Sequence, residues 1–130
     1  MTEGQVYQID LDPVHSVIRL TVTAETVTLE LAEEIYRHLS EAASSGGPYA
    51  AIYDLSATKR TSIATTTVRI FAHHRRRKQV VVGTEPHIFG LARVFQMCSK
   101  AIGSEYQVVQ TLEEAYKIVE ASPEDFTQRL

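Results

Sequence analysis

The chain has little of what most small-protein chemistry depends on. Its 130 residues include one cysteine, Cys98, and no tryptophan. A lone cysteine excludes an intramolecular disulfide, so a reducing, cytoplasmic setting is the expectation. Glycine and proline are sparse, at six and four, which leaves little for a glycine-built cofactor cradle. There is no Gly-x-Ser-x-Gly, phosphate-loop Gly-x-x-x-x-Gly-Lys, dinucleotide fingerprint or Cys-x-x-Cys. No apolar run approaches the length of a membrane span. The first ten residues lack a charged-then-apolar signal pattern, and Thr2 excludes myristoylation. Basic excess is absent too: 13 Lys and Arg stand against 16 Asp and Glu, a net charge of -3. That balance argues against a dedicated nucleic-acid binder.

What remains is ordinary globular composition, 44% hydrophobic and 22% charged, in a length suited to one domain spanning residues 1–130. Val6 to Asp10 alternates weakly and runs into the turn signal Asp12-Pro13. Val14 to Thr23 alternates well, with Ile18, Leu20 and Val22 on one face and Arg19 and Thr21 on the other. Together they predict an antiparallel hairpin. From Thr28 to about Ala43 the period becomes helical, with Leu31, Ile35, Leu39 and Ala42 as the apolar stripe. Ser44-Ser-Gly-Gly-Pro48 stops it.

Tyr49 to Leu55 reads as a short buried strand, and Ile63 to His74 as a second helix. Gln79 to Gly83 is a strand. Thr84 is placed to cap a third helix, with Pro86 early in it and Ile88, Leu91, Ala92, Phe95 and Cys98 on its apolar side. Tyr106 to Val109 is a last strand. Thr111-Leu-Glu-Glu114 has the form of a capping box opening a helix that buries Leu112, Ala115, Tyr116 and Val119. Ser122-Pro123-Glu124 suits either one more short turn or a frayed tail. The order β-β-α-β-α-β-α-β-α predicts an α/β fold: one mixed, mostly parallel five-stranded sheet with an N-terminal hairpin and four helices.

That order, the strand Ala51-Ile-Tyr-Asp-Leu-Ser56 and the helix after it resemble the STAS-like class, the domains of anti-sigma-factor antagonists and of sulfate-transporter tails. Gln79-Val-Val-Val-Gly83 with its following helix, and Val108-Val-Gln-Thr-Leu-Glu-Glu-Ala115, are similar to later units of that family. The resemblance implies a non-catalytic regulatory module. It also implies a phosphoacceptor, because antagonists carry Asp-Ser-Ser/Thr-Gly shortly after Asp-Leu-Ser, where a partner kinase places a phosphate. This chain departs there, with Lys59-Arg-Thr-Ser-Ile63. The acceptor falls on Thr61 without a gap and on Ser62 with one inserted residue. Lys59 or Arg60 replaces the acidic position.

Residues 54–62 and 84–88 form the predicted working edge, because ligands in open α/β sheets gather where strands end and helices begin. Ser56, Thr58, Thr61, Ser62, Thr65, Thr66 and Thr67 make the stretch rich in hydroxyls. These residues either cap the second helix or, with Lys59 and Arg60, surround an anion at its N-terminus. Asp54 suits an Asx-type turn, or a general base reached by Glu85 and His87. The run His73-His-Arg-Arg-Arg-Lys78 complements a helix C-terminus, and its adjacent histidines lack metal-ligand spacing. Cys98 reads as a small core residue.

The candidate anion or partner contacts are therefore Asp54, Ser56, Thr58, Lys59, Arg60, Glu85 and His87. No cofactor, metal-ligating set or nucleic acid is expected. A regulatory protein-interaction module facing a kinase or regulator is the first reading. A small anionic or lipid ligand is the alternative, since the chain is also similar in shape to the CRAL-TRIO lipid-transfer class. A small enzyme using Asp54, Glu85 and His87 is the third. Apolar edge strands are compatible with a homodimer.

Overall fold

The computed structural model describes residues 6–44, 49–61, 78–101 and 106–130. β1 (Tyr7–Asp12) and β2 (Val17–Val22) pair antiparallel, with Tyr7 opposite Val22 and Asp12 opposite Val17. The second strand begins three residues later than its alternation predicts, because Asp12 holds the turn. Its Oδ1 accepts the Val14 and His15 N–H groups at 2.9 and 3.1 Å, which keeps residues 14–16 out of the ladder. Ser16 leaves the turn in a left-handed conformation, φ 57.

β3 (Thr26–Val27) leads into α1 (Leu29–Ser44). Thr28 caps it, its hydroxyl accepting the Leu31 N–H at 3.2 Å. Ala32, Ile35 and Leu39 are buried as the helical period requires. β4 (Ala50–Asp54) is buried at every residue. After β5 (Arg60–Thr61) and β6 (Gln79–Val82) comes α2 (Pro86–Ala101), then β7 (Tyr106–Val109) and α3 (Leu112–Val119). A 3-10 turn, Pro123–Asp125, and β8 (Gln128–Arg129) end the chain.

The large sheet has the order β7-β6-β4-β2-β1-β8, with β1 antiparallel to both its neighbours and the other pairs parallel. The fold is thus α/β with a mostly parallel large sheet. Two details differ from expectation. The sheet has six strands, because the tail returns as β8 on the β1 edge, and β3 and β5 make a separate two-stranded sheet. Both additions are two-residue backbone pairings that carry no apolar period. Three α-helices lie among the described residues, and the helix expected over 63–74 lies outside them.

Period-two alternation divides the core. One face buries Ile9, Ile18, Leu20, Val22, Ala51, Tyr53 and Val81 with α1 and Ala92 of α2. The other buries Val17, Ala50, Ile52, Val80, Val82 and Val109 beneath Ala115, Tyr116 and Val119 of α3. Each fully buried Leu or Ile contributes about 1.5–3 kcal/mol. Thr111 caps α3 as expected, accepting the Glu114 N–H at 3.2 Å. The Glu114 carboxylate takes the Thr111 hydroxyl at 2.9 Å and not the backbone N–H of a full capping box. Glu120, left-handed at φ 58, closes the helix with its N–H on the Tyr116 carbonyl.

On the first face the Tyr7 hydroxyl meets His38 Nδ1 at 3.2 Å. Burial, and then the Glu34 carboxylate beside it, raise the Tyr7 phenol above its ordinary value. The folded state therefore favours the neutral phenol. The stabilisation is complete below about pH 10, the unfolded value, and falls as pH rises through the raised folded one. Tyr7→Phe is expected to flatten stability against pH above about 10, read by urea midpoints. An unchanged alkaline slope would contradict this assignment.

Candidate functional site

β4 delivers Asp54 to its C-terminal end, beside Thr21 of β2 and Val82 of β6 in register. The carboxylate is buried, and its Oδ1 accepts the Ser56 N–H at 3.0 Å and the Ser56 hydroxyl at 2.6 Å. This is an Asx turn, so one oxygen of Asp54 is committed to shaping the loop. Among the described residues no side-chain hydrogen bond joins Asp54 to Glu85 or His87.

The loop from Leu55 to Thr61 is held from inside. Leu55 N–H reaches Val82 O at 2.9 Å, continuing the line of β4 past its end. Thr58 is fully buried, and its hydroxyl donates to Ala24 O at 3.0 Å. The Lys59 and Arg60 N–H groups both reach Glu25 O, at 2.8 and 3.0 Å. β5 then pairs parallel with β3, Thr26 beside Arg60 and Val27 beside Thr61. Thr61 donates its hydroxyl to Val27 O at 3.2 Å. Ser62 lies outside the described residues, as do Thr65, Thr66, Thr67 and most of the basic run.

The tip of the loop faces outward. Ser56, Lys59 and Arg60 are exposed. Lys59 Nζ lies 3.6 Å from a Glu25 carboxylate oxygen, both groups well solvated, so this pair contributes little. The start of α2 is tied to the same loop, because the Thr84 hydroxyl donates to Ser56 O at 3.2 Å. That bond corrects its expected capping role: Glu85 directly precedes the helix, and its carbonyl accepts from Phe89 N at 2.8 Å. Glu85 is half-buried and His87 exposed. Gly83 permits the close approach of β6 to α2, since a Cβ there would lie 3.3 Å from Ile88 Cγ2.

The structure thus brings Asp54, Ser56 and Thr84 together by hydrogen bonds, ties Thr58 to Ala24, and presents Lys59 and Arg60 on a braced loop. Thr58→Val is expected to cost roughly 1–2 kcal/mol, because Ala24 O loses its partner while the side-chain volume is kept. Faster amide exchange at residues 59–61 would accompany the loss. Exchange unchanged there would show that Thr58 does not anchor the loop.

Two further groups were hidden from spacing. Asp10, on β1, accepts from Arg19 Nη2 at 3.2 Å, Arg129 Nε at 2.7 Å and Gln8 Nε2 at 3.2 Å. Arg19 also donates to the Tyr116 hydroxyl at 2.6 Å and lies 4.6 Å from the Phe126 ring centre. Period-two alternation does place Asp10 and Asp12 on one face of β1, and that was the available signal. At the hairpin turn, Asp12, His15 and Asp125 converge from distant parts of the chain.

The architecture defines an α/β protein with a braced loop at the C-terminal end of a central parallel strand. Compared with protein-family models the chain matches none, and compared with curated proteins it matches none. No helix among the described residues is long and apolar enough to cross a membrane.

Proposed function

We propose that this chain is a non-catalytic regulatory or protein-interaction module of the STAS-like type, contacting its partner through the Ser56–Thr61 loop and the start of α2. One observation carries the reading. The loop spends its buried groups, Asp54, Thr58 and the 59–60 amides, on internal anchors and leaves two adjacent cations, Lys59 and Arg60, solvated. A braced cationic tip limits the ordering cost of association. Its charge selects an acidic or phosphorylated partner surface. The element order and the strand ending in Asp54-Leu-Ser56 support the family resemblance, and with it a kinase or regulator as partner.

On this reading a switching phosphate would go to Thr61 or Ser62. At Thr61 it would replace the hydroxyl bond to Val27 O and loosen the β3–β5 pairing. Incubation with ATP and kinases of the source organism, followed by peptide mapping, tests the switch. Absence of label at both residues removes the switch and leaves the contact surface standing.

The contact surface is tested by the double variant Lys59→Glu/Arg60→Glu, used as bait in the source lysate beside wild type and a Lys117→Glu control. These exposed changes are expected to alter stability by no more than about 0.5 kcal/mol. Proteins retained by wild type and the control should be lost from the double variant, and wild-type retention should fall with salt. An identical captured set would contradict the surface.

A further inference from the structure

We propose a divalent-cation site, suited to Zn2+, formed by Asp12, His15 and Asp125. It is independent of the loop surface described above. Asp12 Oδ2 and His15 Nδ1 are 2.7 Å apart, and His15 Nδ1 and Asp125 Oδ2 are 3.7 Å apart. All three ligand atoms lie within 4.8 Å of one another. A tetrahedral Zn2+ with bonds of about 2.0–2.1 Å needs ligand atoms about 3.3 Å apart. The two edges lie either side of that value; the shorter is a hydrogen bond between His15 and Asp12, which an ion would replace on loss of its proton.

Both carboxylates are already oriented by backbone amides. Asp12 is fully buried, and its Oδ1 is held by Val14 N–H and His15 N–H, which directs Oδ2 at the imidazole. Asp125 Oδ2 accepts the Ser122 N–H at 2.9 Å. Outer bonds of this kind fix ligand direction in metal centres. The set is not merely acidic. A neutral imidazole supplies a nitrogen donor, and two carboxylates balance the charge of a divalent ion. Mixed nitrogen and oxygen donors favour Zn2+ over Mg2+ or Ca2+, which take oxygen alone. His15 is 44% exposed and Asp125 30% exposed, leaving the solvent side open for a fourth ligand. A bound ion would join the β1–β2 turn to the 3-10 turn and so secure the C-terminal segment to the sheet.

The test uses the full chain and Zn2+ alone. At a hundredfold excess over its dissociation constant, Zn2+ should raise Tm by about 5–10 °C. The shift should fall to about half or less in His15→Ala and Asp125→Asn, as an affinity reduced at least about tenfold requires, and persist in full in His73→Ala/His74→Ala. Co2+ added to wild type should give the visible absorption of a four-coordinate ion, absent from both ligand variants. No Tm shift with Zn2+, or a shift and Co2+ spectrum undiminished in His15→Ala and Asp125→Asn, would overturn the site.

Discussion

Arg19→Ala is expected to destabilise the protein by roughly 3–5 kcal/mol, toward the lower end of that range. Arg19 and Asp10 face each other across the β1–β2 ladder, with side chains only 17% and 5% exposed. The guanidinium donates to Asp10 and Tyr116 and stacks on Phe126. Removing it leaves a carboxylate buried with fewer donors and opens space under the C-terminal segment. Arg129 and Gln8 still reach Asp10, which is why the loss should sit near the lower bound. Burial also shields the pair from screening, so 0.5 M NaCl should change the wild-type midpoint little. Asp10→Leu/Arg19→Met removes both charges and should recover most of the stability, since an apolar pair of similar size avoids the desolvation cost. Among the described residues Arg19 Nε is buried without a hydrogen-bond partner, which adds to what the double variant relieves. A loss below about 1 kcal/mol for Arg19→Ala in urea unfolding would show the network to be peripheral.

Tyr53→Ala should cost about 3–5 kcal/mol. Tyr53 is fully buried on the central strand β4, in the cluster it shares with Leu20, Leu39 and Val81. Its hydroxyl donates to Gln79 Oε1 at 2.7 Å, joining β4 to β6. Tyr53→Phe keeps the ring and should lose only about 1 kcal/mol, so the difference measures packing against hydrogen bonding. Because Asp54 follows directly, the alanine variant should also loosen the Ser56 turn and raise amide exchange from residue 55 to 61. A small stability loss with that loop unchanged would mean that β4 does not set the loop's position.

Much of this fold was legible because it follows from local period. Ile18, Leu20 and Val22 alternate, and they face one core. Of the expected stripe on the first helix, Ile35 and Leu39 face it too, with Leu31 partly buried against it, while Ala32 takes a buried place the stripe did not include. Thr111 and Glu114 announced the last helix. The features that sequence reading missed are made by the chain's return upon itself. β8 is polar, and it pairs through backbone, Leu130 N–H on Ile9 O and Leu11 opposite Gln128. β3 and β5 meet through Thr26 and Arg60, far apart in sequence. Arg19, assigned by alternation to the polar face of a hairpin, is covered instead by Tyr116 and Phe126, because that face also receives the C-terminal segment. For the candidate site, the Asx form of the turn at Asp54 could be read from Asp54-Leu-Ser56. The anchoring role of Thr58 could not, because its partner, Ala24 O, lies in another loop.

Amide exchange by mass spectrometry, with and without the proteins captured by wild type, tests the proposed surface most directly. The proposal predicts added protection concentrated in residues 55–61 and 84–90, absent when the bait carries Lys59→Glu/Arg60→Glu. Protection confined to α1, α3 or the β1–β8 edge, with residues 55–61 exchanging as before, would contradict it.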